Sequence, residues 1–430
     1  MISNTYKTIL ITERRKEDDM QAIILAAGEG SRMRPLTFCR PKVMLPVGGK
    51  PFLEWTVCRA KIAGINDFVF VVGYRSESVM DHFKDGDDFG VRIDYAFQEE
   101  QQGTGHALMT AEDLAANRFL VLNGDVLTDT TSLKRIIETD GLAVAAKRVS
   151  DPSRYGVLEV SEGAVRSVVE KNRLPPSDLA NAGIYLLDER IFDVLREVPV
   201  SVRGERELTD GLNFLSSRGA KLSVVDIEDW IEIGRPWDLL DANEKILTSE
   251  PGSISDDAEV EAGAVVSGEV SLGKGTRIRS GSYIEGPAVI GEDCEIGPNC
   301  FIRPFTCIGD DVRIGNAVEI KNSTIMEDTN VAHLSYVGDS VIGSDCNLGA
   351  GTIVANLRHD GGIVSSYIRG DEVNSGRRKL GVIMGDDVKT GINTSIYPGT
   401  VIEPGYRGRP GEVLWGKISA ETQGPGSSSN

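Results

Sequence analysis

The chain has 430 residues and a formal charge of −19, from 46 Lys and Arg against 65 Asp and Glu. A field of that sign repels polyphosphate backbones and anionic bilayers, which excludes a general nucleic-acid or membrane surface; phosphate chemistry must rest on local cations or on a metal. The length exceeds one ordinary hydrophobic core and predicts two structured domains. The six cysteines form no CxxC pair, and Cys294, Cys300 and Cys346 fall on small-residue positions of the repeat described below, as buried apolar groups in a reducing cytosol would. No apolar run approaches the roughly 20 residues of a membrane span. The charged TERRKEDD is unlike a signal-peptide core, so a cytoplasmic location is expected.

Residues 1–19 are polar and aperiodic and read as a disordered extension; Met20 precedes the first strand-like run. From residue 20 to 245, strand-like runs (AIILAAG, DFVFVVGY, RFLVLNGD) alternate with helical ones (PFLEWTVCRAKIAG, HALMTAEDLAA), which predicts an α/β domain with a mainly parallel sheet. LAAGEGSRMRPLTFCRPK places a glycine-bearing loop directly after the first strand. It is not a Walker A sequence, and Met33 replaces the last glycine of G-x-G-x-x-G. Arg32, Arg34 and Lys42 cluster around backbone amides able to face a phosphate. GRPWDLLDANEKILTSE, with Pro236 for its first turn and Pro251 and Gly252 beyond it, reads as a connecting helix.

The pattern then changes. An aliphatic residue or Met recurs at every sixth position from Ile254 and Val260 through Ile320 to Met326, with a small residue four places after each of the first twelve. Period six fits neither a helix nor a lone strand; it is the mark of a parallel β-helix, predicted over 253–409 with a flexible tail at 410–430. The aliphatic positions resume at Val331, Val337, Ile342 and Leu348, so two spacings shrink to five and bracket His333, one of only four histidines. Residues 357–381 interrupt the hexads and are expected to project as a loop ending in Arg377, Arg378 and Lys379.

LAAGEGSRMRPLTFCRPKVMLPVGGKP, followed in order by QEEQQGTGHAL, NGD, YGVLEV, VVEKN, NAGIYLL, ELTD and WIEIG, resembles the sugar-1-phosphate nucleotidylyltransferases over most of residues 21–240. Those enzymes join an NTP to a sugar 1-phosphate and release pyrophosphate. The resemblance implies a Rossmann-like mixed sheet and a set of roles. Leu25, Ala26 and Gly28 would receive the nucleotide, while Arg32 and Lys42 neutralise charge that builds at the α-phosphorus during in-line attack. Gln98, Gly103 and Thr104 would meet the base and its nucleoside, and Asp125 and Glu232 would hold Mg²⁺. Gly156, Glu170 and Asn181 would hold the sugar, and Lys171 its phosphate. Glu232 stands where much of the family has Asp or Asn, one methylene shorter.

RPFTCIGDDVRIGNAVEIKNSTI and AHLSYVGDSVIGSDCNLGAGTIVANL resemble the acetyltransferase half of the bifunctional glucosamine-1-phosphate acetyltransferases and uridylyltransferases. The resemblance implies a left-handed coil, a homotrimer with the acetyl site between neighbouring coils, and His333 as the base that frees the attacking amine. Arg303 and Lys321 would fix the sugar phosphate, Tyr336 and Asn347 would orient the sugar, and Asn356 would sit near the acyl group or amine. Arg377, Arg378 and Lys379 would meet the phosphates of coenzyme A. His106 reads as structural, His82 and His359 as surface residues.

The activity so implied is acetyl transfer from acetyl-CoA to glucosamine 1-phosphate, then uridylyl transfer from UTP to give UDP-N-acetylglucosamine. GRRKLG and TGINTSIYPG are closer to archaeal relatives, and RPLTFCRPKVMLPV to the thymidylyltransferases, so UTP and dTTP both stay open, as do other sugar 1-phosphates. Two further readings share the architecture. One is a hexose-1-phosphate nucleotidylyltransferase with a non-catalytic β-helix. The other is a non-catalytic assembly subunit, against which the retained Arg32, Lys42 and Asp125 speak.

Overall fold

The computed structural model describes residues 20–170, 174–201 and 204–420; the extension expected over 1–19, Lys171 and residues 421–430 lie outside them. Strand Gln21–Leu25 lies between two parallel neighbours, Asp67–Val72 and Arg118–Asn123. Its Ile24 packs with Phe70 and Leu122 on one sheet face, while Ile23 packs with Val71 and Val121 on the other. Burial on both faces is why this run is continuously apolar rather than alternating. The full sheet has nine strands, in the order Arg92–Phe97, Asp67–Val72, Gln21–Leu25, Arg118–Asn123, Leu179–Asp188, Leu142–Arg148, Leu222–Asp226, Ala164–Val169 and Val157–Ser161. Leu179–Asp188 runs antiparallel to both of its main neighbours, which makes the sheet mixed. The chain builds outward from Gln21–Leu25 on one side and then returns on the other. The carboxyl end of that strand is therefore the switch point at which open α/β sheets bind ligands.

Helix Asp238–Ser249 extends past the boundary expected at 245 and leads into a parallel β-helix of three sheets. In regular coils each short strand pairs with one 18 residues on, as Glu259 does with Arg277. The hexad aliphatics fill the interior, from Leu272 and Ile278 to Ile402 and Leu414. Ile254 and Val260 are exposed instead, because they belong to the first coil and have none beneath them. The winding also passes the end expected at 409. Val413–Leu414 and Lys417–Ile418 add strands to two of the sheets, so the start of the predicted tail is coil.

The three outer faces differ. One stacks Glu259, Arg277, Glu295 and Arg313 in a ladder of alternating charge, with Arg277 bonded to Glu259 at 2.6 Å. The second stacks Val265, Tyr283, Phe301, Glu319, Tyr336 and Ile353. The third, with Val289, Thr324, Val341, Ile383 and Val401, lies against the α/β domain. There Val341, Ile383 and Val401 share one apolar cluster with Met33, Leu36, Trp55 and Trp237. Asn243 of the connecting helix spans this junction, accepting from the Gly48 N–H and donating to Thr324 Oγ1, each at 2.7 Å.

Three expectations are corrected here. Ile325, not Met326, enters the coil interior, because it stacks directly on Ile308; Met326 turns outward into the domain junction. The first shortened spacing therefore precedes Ile325. Both shortened turns stack at the corner between the second and third faces, around Lys321 and Asp339, and not around His333. Residues 357–381 do not project freely. They form a hairpin, Ser365–Ile368 with Asp371–Asn374, whose Tyr367, Ile368 and Val373 pack on the domain junction, because these apolar groups would otherwise face water.

Candidate active sites

The first site opens at the carboxyl end of Gln21–Leu25. Gly28 is exposed, its φ is not positive, and an added Cβ would meet nothing within 4 Å. Neither packing nor backbone strain requires glycine there, and the open space beside it leaves the backbone accessible. Gly30, in contrast, has φ +66 and an added Cβ would come 2.7 Å from Lys42 Cβ, so it lets the loop fold down onto Lys42. The Lys42 ammonium lies 2.5 Å from Asp125 Oδ2, and both side chains are mostly buried, 10% and 28% exposed. Strand Trp230–Glu232 pairs antiparallel with Val126–Thr128, setting Glu232 opposite Val126 and beside Asp125. Arg32 is exposed and makes no ion pair among the described residues, while Arg34 is taken up by Glu29.

Gln98 is buried; its amide donates to the Gly103 carbonyl at 3.1 Å and meets His106 Nδ1 at 3.0 Å, which gives His106 the structural place expected of it. Gly103 has φ +98 and an added Cβ would come 2.5 Å from the Arg206 carbonyl, so no side chain fits. Gly156, Glu170 and Asn181 meet at one end of the sheet. The Gly156 carbonyl accepts from the Asn181 N–H at 2.8 Å, and an added Cβ on Gly156 would lie 3.9 Å from the Glu170 carboxylate. His82 is not a plain surface residue: it lies 3.0 Å from Glu54 and packs on Phe83 and Phe89, whereas His359 is exposed.

Glu207 was given no role by the sequence, although it sits in the ELTD motif. Thr104 Oγ1 donates to its carboxylate at 3.1 Å and accepts from the Leu208 N–H at 2.9 Å. Burial, with Glu205 close by, pushes the Glu207 carboxyl up from 4.5 to about 7. The folded chain thus binds more protons than the unfolded chain across that window, so this group makes stability fall as pH rises from 4.5 to about 7. Glu207→Gln is expected to remove that fall. Melting curves of both proteins through the window check it, and identical pH slopes would rule it out.

The second site lies on the coil. Arg303, Glu319, Lys321 and Tyr336 share the second face, with Arg303 bonded to Glu319 at 2.9 Å. At its corner with the third face, Asp339, only 2% exposed, accepts from Lys321 at 2.8 and 3.1 Å, from Asn322 at 2.8 Å and from Asn356 at 2.5 Å. Asn356 also donates to the Tyr336 hydroxyl at 3.2 Å. Burial raises the Tyr336 pKa, so the hydroxyl keeps its proton. Asp339 escaped the sequence reading; the shortened spacing from Val337 to Ile342 that surrounds it was the available signal.

His333 sits at the other end of this face, at its corner with the charged face. Its ring is exposed and makes no hydrogen bond among the described residues. Asn347 lies beyond that corner, on the charged face, and is also exposed. One protomer therefore gathers Lys321, Tyr336, Asn356 and Asp339, but sets Asn347 on a different face from Tyr336. The expected coenzyme-A cations are split. Arg377 is turned inward onto Asp241 of the connecting helix, and only Arg378 and Lys379 are exposed, because the hairpin folds back instead of standing out.

Comparison with known proteins agrees with both halves. The nucleotidyl transferase family model matches residues 21–249, and a GMPPB C-terminal domain model matches residues 284–405. The bifunctional protein GlmU of Methanococcus maripaludis strain C7 is 48% identical over 388 residues, covering 89% of this chain and 92% of that protein. The bifunctional sugar-1-phosphate nucleotidylyltransferase/acetyltransferase of Sulfurisphaera tokodaii is 38% identical over 403 residues, covering 92% of this chain and 97% of that protein. Among solved structures, a Bacillus anthracis chain assigned as a glucose-1-phosphate thymidylyltransferase, in complex with a sucrose, matches at 32% identity and a TM-score of 0.50 over 54% of this chain and 98% of its own. With relatives of this identity matching both halves in the same order, the chain belongs to the nucleotidyl transferase family and, within it, to the bifunctional GlmU-type enzymes.

Proposed function

We propose that the protein acetylates glucosamine 1-phosphate with acetyl-CoA and then joins the product to UTP, giving UDP-N-acetylglucosamine and pyrophosphate. The observation that carries the bifunctional reading over a scaffold β-helix is the Lys321–Asp339–Asn356–Tyr336 network. A coil that served only as a spacer would gain nothing from burying an acid and a cation in its shortened turns.

In the nucleotidyl site, backbone around Gly28 cradles the triphosphate, and Arg32 and Lys42 neutralise charge as the sugar phosphate oxygen attacks the α-phosphorus. Asp125 and Glu232 would hold Mg²⁺. Both offer hard oxygen donors, Glu232 from the end of its strand and Asp125 from the turn that precedes the paired strand Val126–Thr128, and Mg²⁺ takes one or two protein carboxylates together with phosphate oxygens. Among the described residues no group of three or more His, Cys, Asp or Glu is arranged to hold a metal ion, so the remaining ligands would come from substrate and water. When bound, the ion would spread the triphosphate charge. Lys42, bonded to Asp125, neutralises that carboxylate in the unliganded chain.

In the acetyl site, the His333 imidazole takes a proton from the attacking amine as it adds to the thioester carbonyl. Lys321 and Arg303 face the sugar phosphate, and Tyr336 and Asn356 hold the sugar and the acyl group. Asn347 lies on a different face from Tyr336, and in a homotrimer through the β-helix a neighbouring copy would bring an Asn347 to this sugar. The second face supplies the apolar contact such an assembly needs. Tyr283, Ile353 and Val413 stack there exposed, and Trp415 near its end is 68% exposed.

Incubating the purified protein with acetyl-CoA, glucosamine 1-phosphate, Mg²⁺ and either UTP or dTTP, then identifying products by mass, tests this directly. Acetylated sugar nucleotide is the expected product. Nucleotidyl transfer without acetyl transfer would return the coil to a scaffold.

A further inference from the structure

The segment from Gly28 to Lys42 carries the candidate phosphate-binding groups, yet much of what holds it comes from the other half of the chain. At one end, Arg369 bonds Ser31 Oγ through Nη2 at 2.5 Å and Nε at 3.1 Å. At the other end, Arg40 bonds Ser344 Oγ and lies 2.9 Å from Glu327 and 3.6 Å from Asp386, all three on the β-helix. Between them, Met33 and Leu36 are fully buried in a cluster that includes Met326, Val364, Leu380 and Ile383 of the coil half.

Arg369 stands at the tip of the hairpin from the interrupted hexads. Arg369 and Gly370 form its two-residue turn, with φ 54 and 94. Both central residues of such a turn need positive φ, which Asn or Gly adopts more readily than Arg. From this turn position the Arg369 side chain reaches Ser31 of the other half. The root of the same hairpin joins the acetyl site, where the Leu380 N–H donates to the Asn356 carbonyl at 2.9 Å.

We infer that the acetyltransferase half holds the nucleotide-binding loop in its working conformation, with Arg369 acting through Ser31 as a positioning residue for nucleotidyl transfer. The inference rests on residues 28–42 being the nucleotide loop of the proposed function. Releasing one end lets the loop sample conformations that do not bind a triphosphate. Apparent affinity then falls in proportion to the competent fraction, while saturating nucleotide restores the competent state.

The test uses the full chain. Arg369→Ala is expected to raise the KM for UTP about tenfold, as a drop of the competent fraction to roughly one tenth would, with kcat and acetyl transfer unchanged. Ser31→Ala should do the same, and the double variant should be no worse than either, because the two side chains act through one contact. Arg369→Lys should recover part of the loss. Hydrogen exchange in a peptide covering residues 28–42 should speed up in Arg369→Ala, while strand Arg118–Asn123 stays protected. Unchanged exchange over residues 28–42, or a loss of acetyl transfer together with a lowered melting temperature, would overturn the inference. If the unaltered protein transfers neither uridylyl nor thymidylyl groups, the functional reading falls, and the exchange measurement still decides whether the loop is clamped.

Discussion

Asp125→Asn is expected to abolish nucleotidyl transfer and to spare acetyl transfer. Asparagine is isosteric and leaves the Asp125 carbonyl free to accept the Ile233 N–H at 3.1 Å, so the turn that aligns Asp125 with Glu232 survives. The variant loses the charge that Lys42 pairs with and that a divalent cation would need. Metal-assisted charge stabilisation is worth several kcal/mol at about 1.4 kcal/mol per tenfold, so the loss should be on the order of 10³-fold or more. Leaving the Lys42 ammonium without its partner costs about 1–3 kcal/mol of stability in the unliganded chain. A melting curve separates that cost from the chemical one, and the acetyl rate reports whether the rest of the chain is intact. Equal loss of both activities in a normally folded variant would count against a dedicated role for this carboxylate.

His333→Ala is expected to lower acetyl transfer by roughly 10²-fold, the usual scale for a general base, with uridylyl transfer untouched. The local structure makes this a clean substitution. The His333 carbonyl, not its ring, accepts from Ser335 Oγ at 2.7 Å and from the Gly351 N–H at 3.3 Å, and alanine keeps both bonds. An exposed ring with no partner in the described chain also costs little to remove, within about 0.5 kcal/mol. The discriminating measurement is acetyl kcat/KM set against uridylyl kcat/KM in the same variant. The first should fall about 10²-fold while the second holds. Near-normal acetylation by the variant between about pH 6 and 9 would remove His333 from the reaction.

The hexads were legible because period six repeats one physical demand, an aliphatic group pointing inward from every short strand. Where two aliphatic residues adjoin, periodicity alone cannot choose between them. Ile325 and Met326 were resolved only by stacking on Ile308 and by the presence of a second domain to receive Met326. Asp339 looked like any turn acid, and its burial arises because Lys321 sits one coil below while Asn356 closes over it. The interruption at 357–381 was visible as a break in the repeat. Its course was not, since the cluster that receives Tyr367 and Ile368 is assembled from residues of both halves.

From its sequence, this protein was determined to be an α/β domain followed by a β-helix, because backbone periodicity and the order of short motifs are local properties of the chain. Which cations are free and which are spent was decided only in three dimensions. Lys42 meets Asp125, Arg377 meets Asp241, and Arg40 meets Glu327 and Asp386 across large separations in sequence. An ion pair needs two groups within a few ångströms, a condition met for Lys42 only once the α/β domain has folded and for Arg377 and Arg40 only once the two halves have packed.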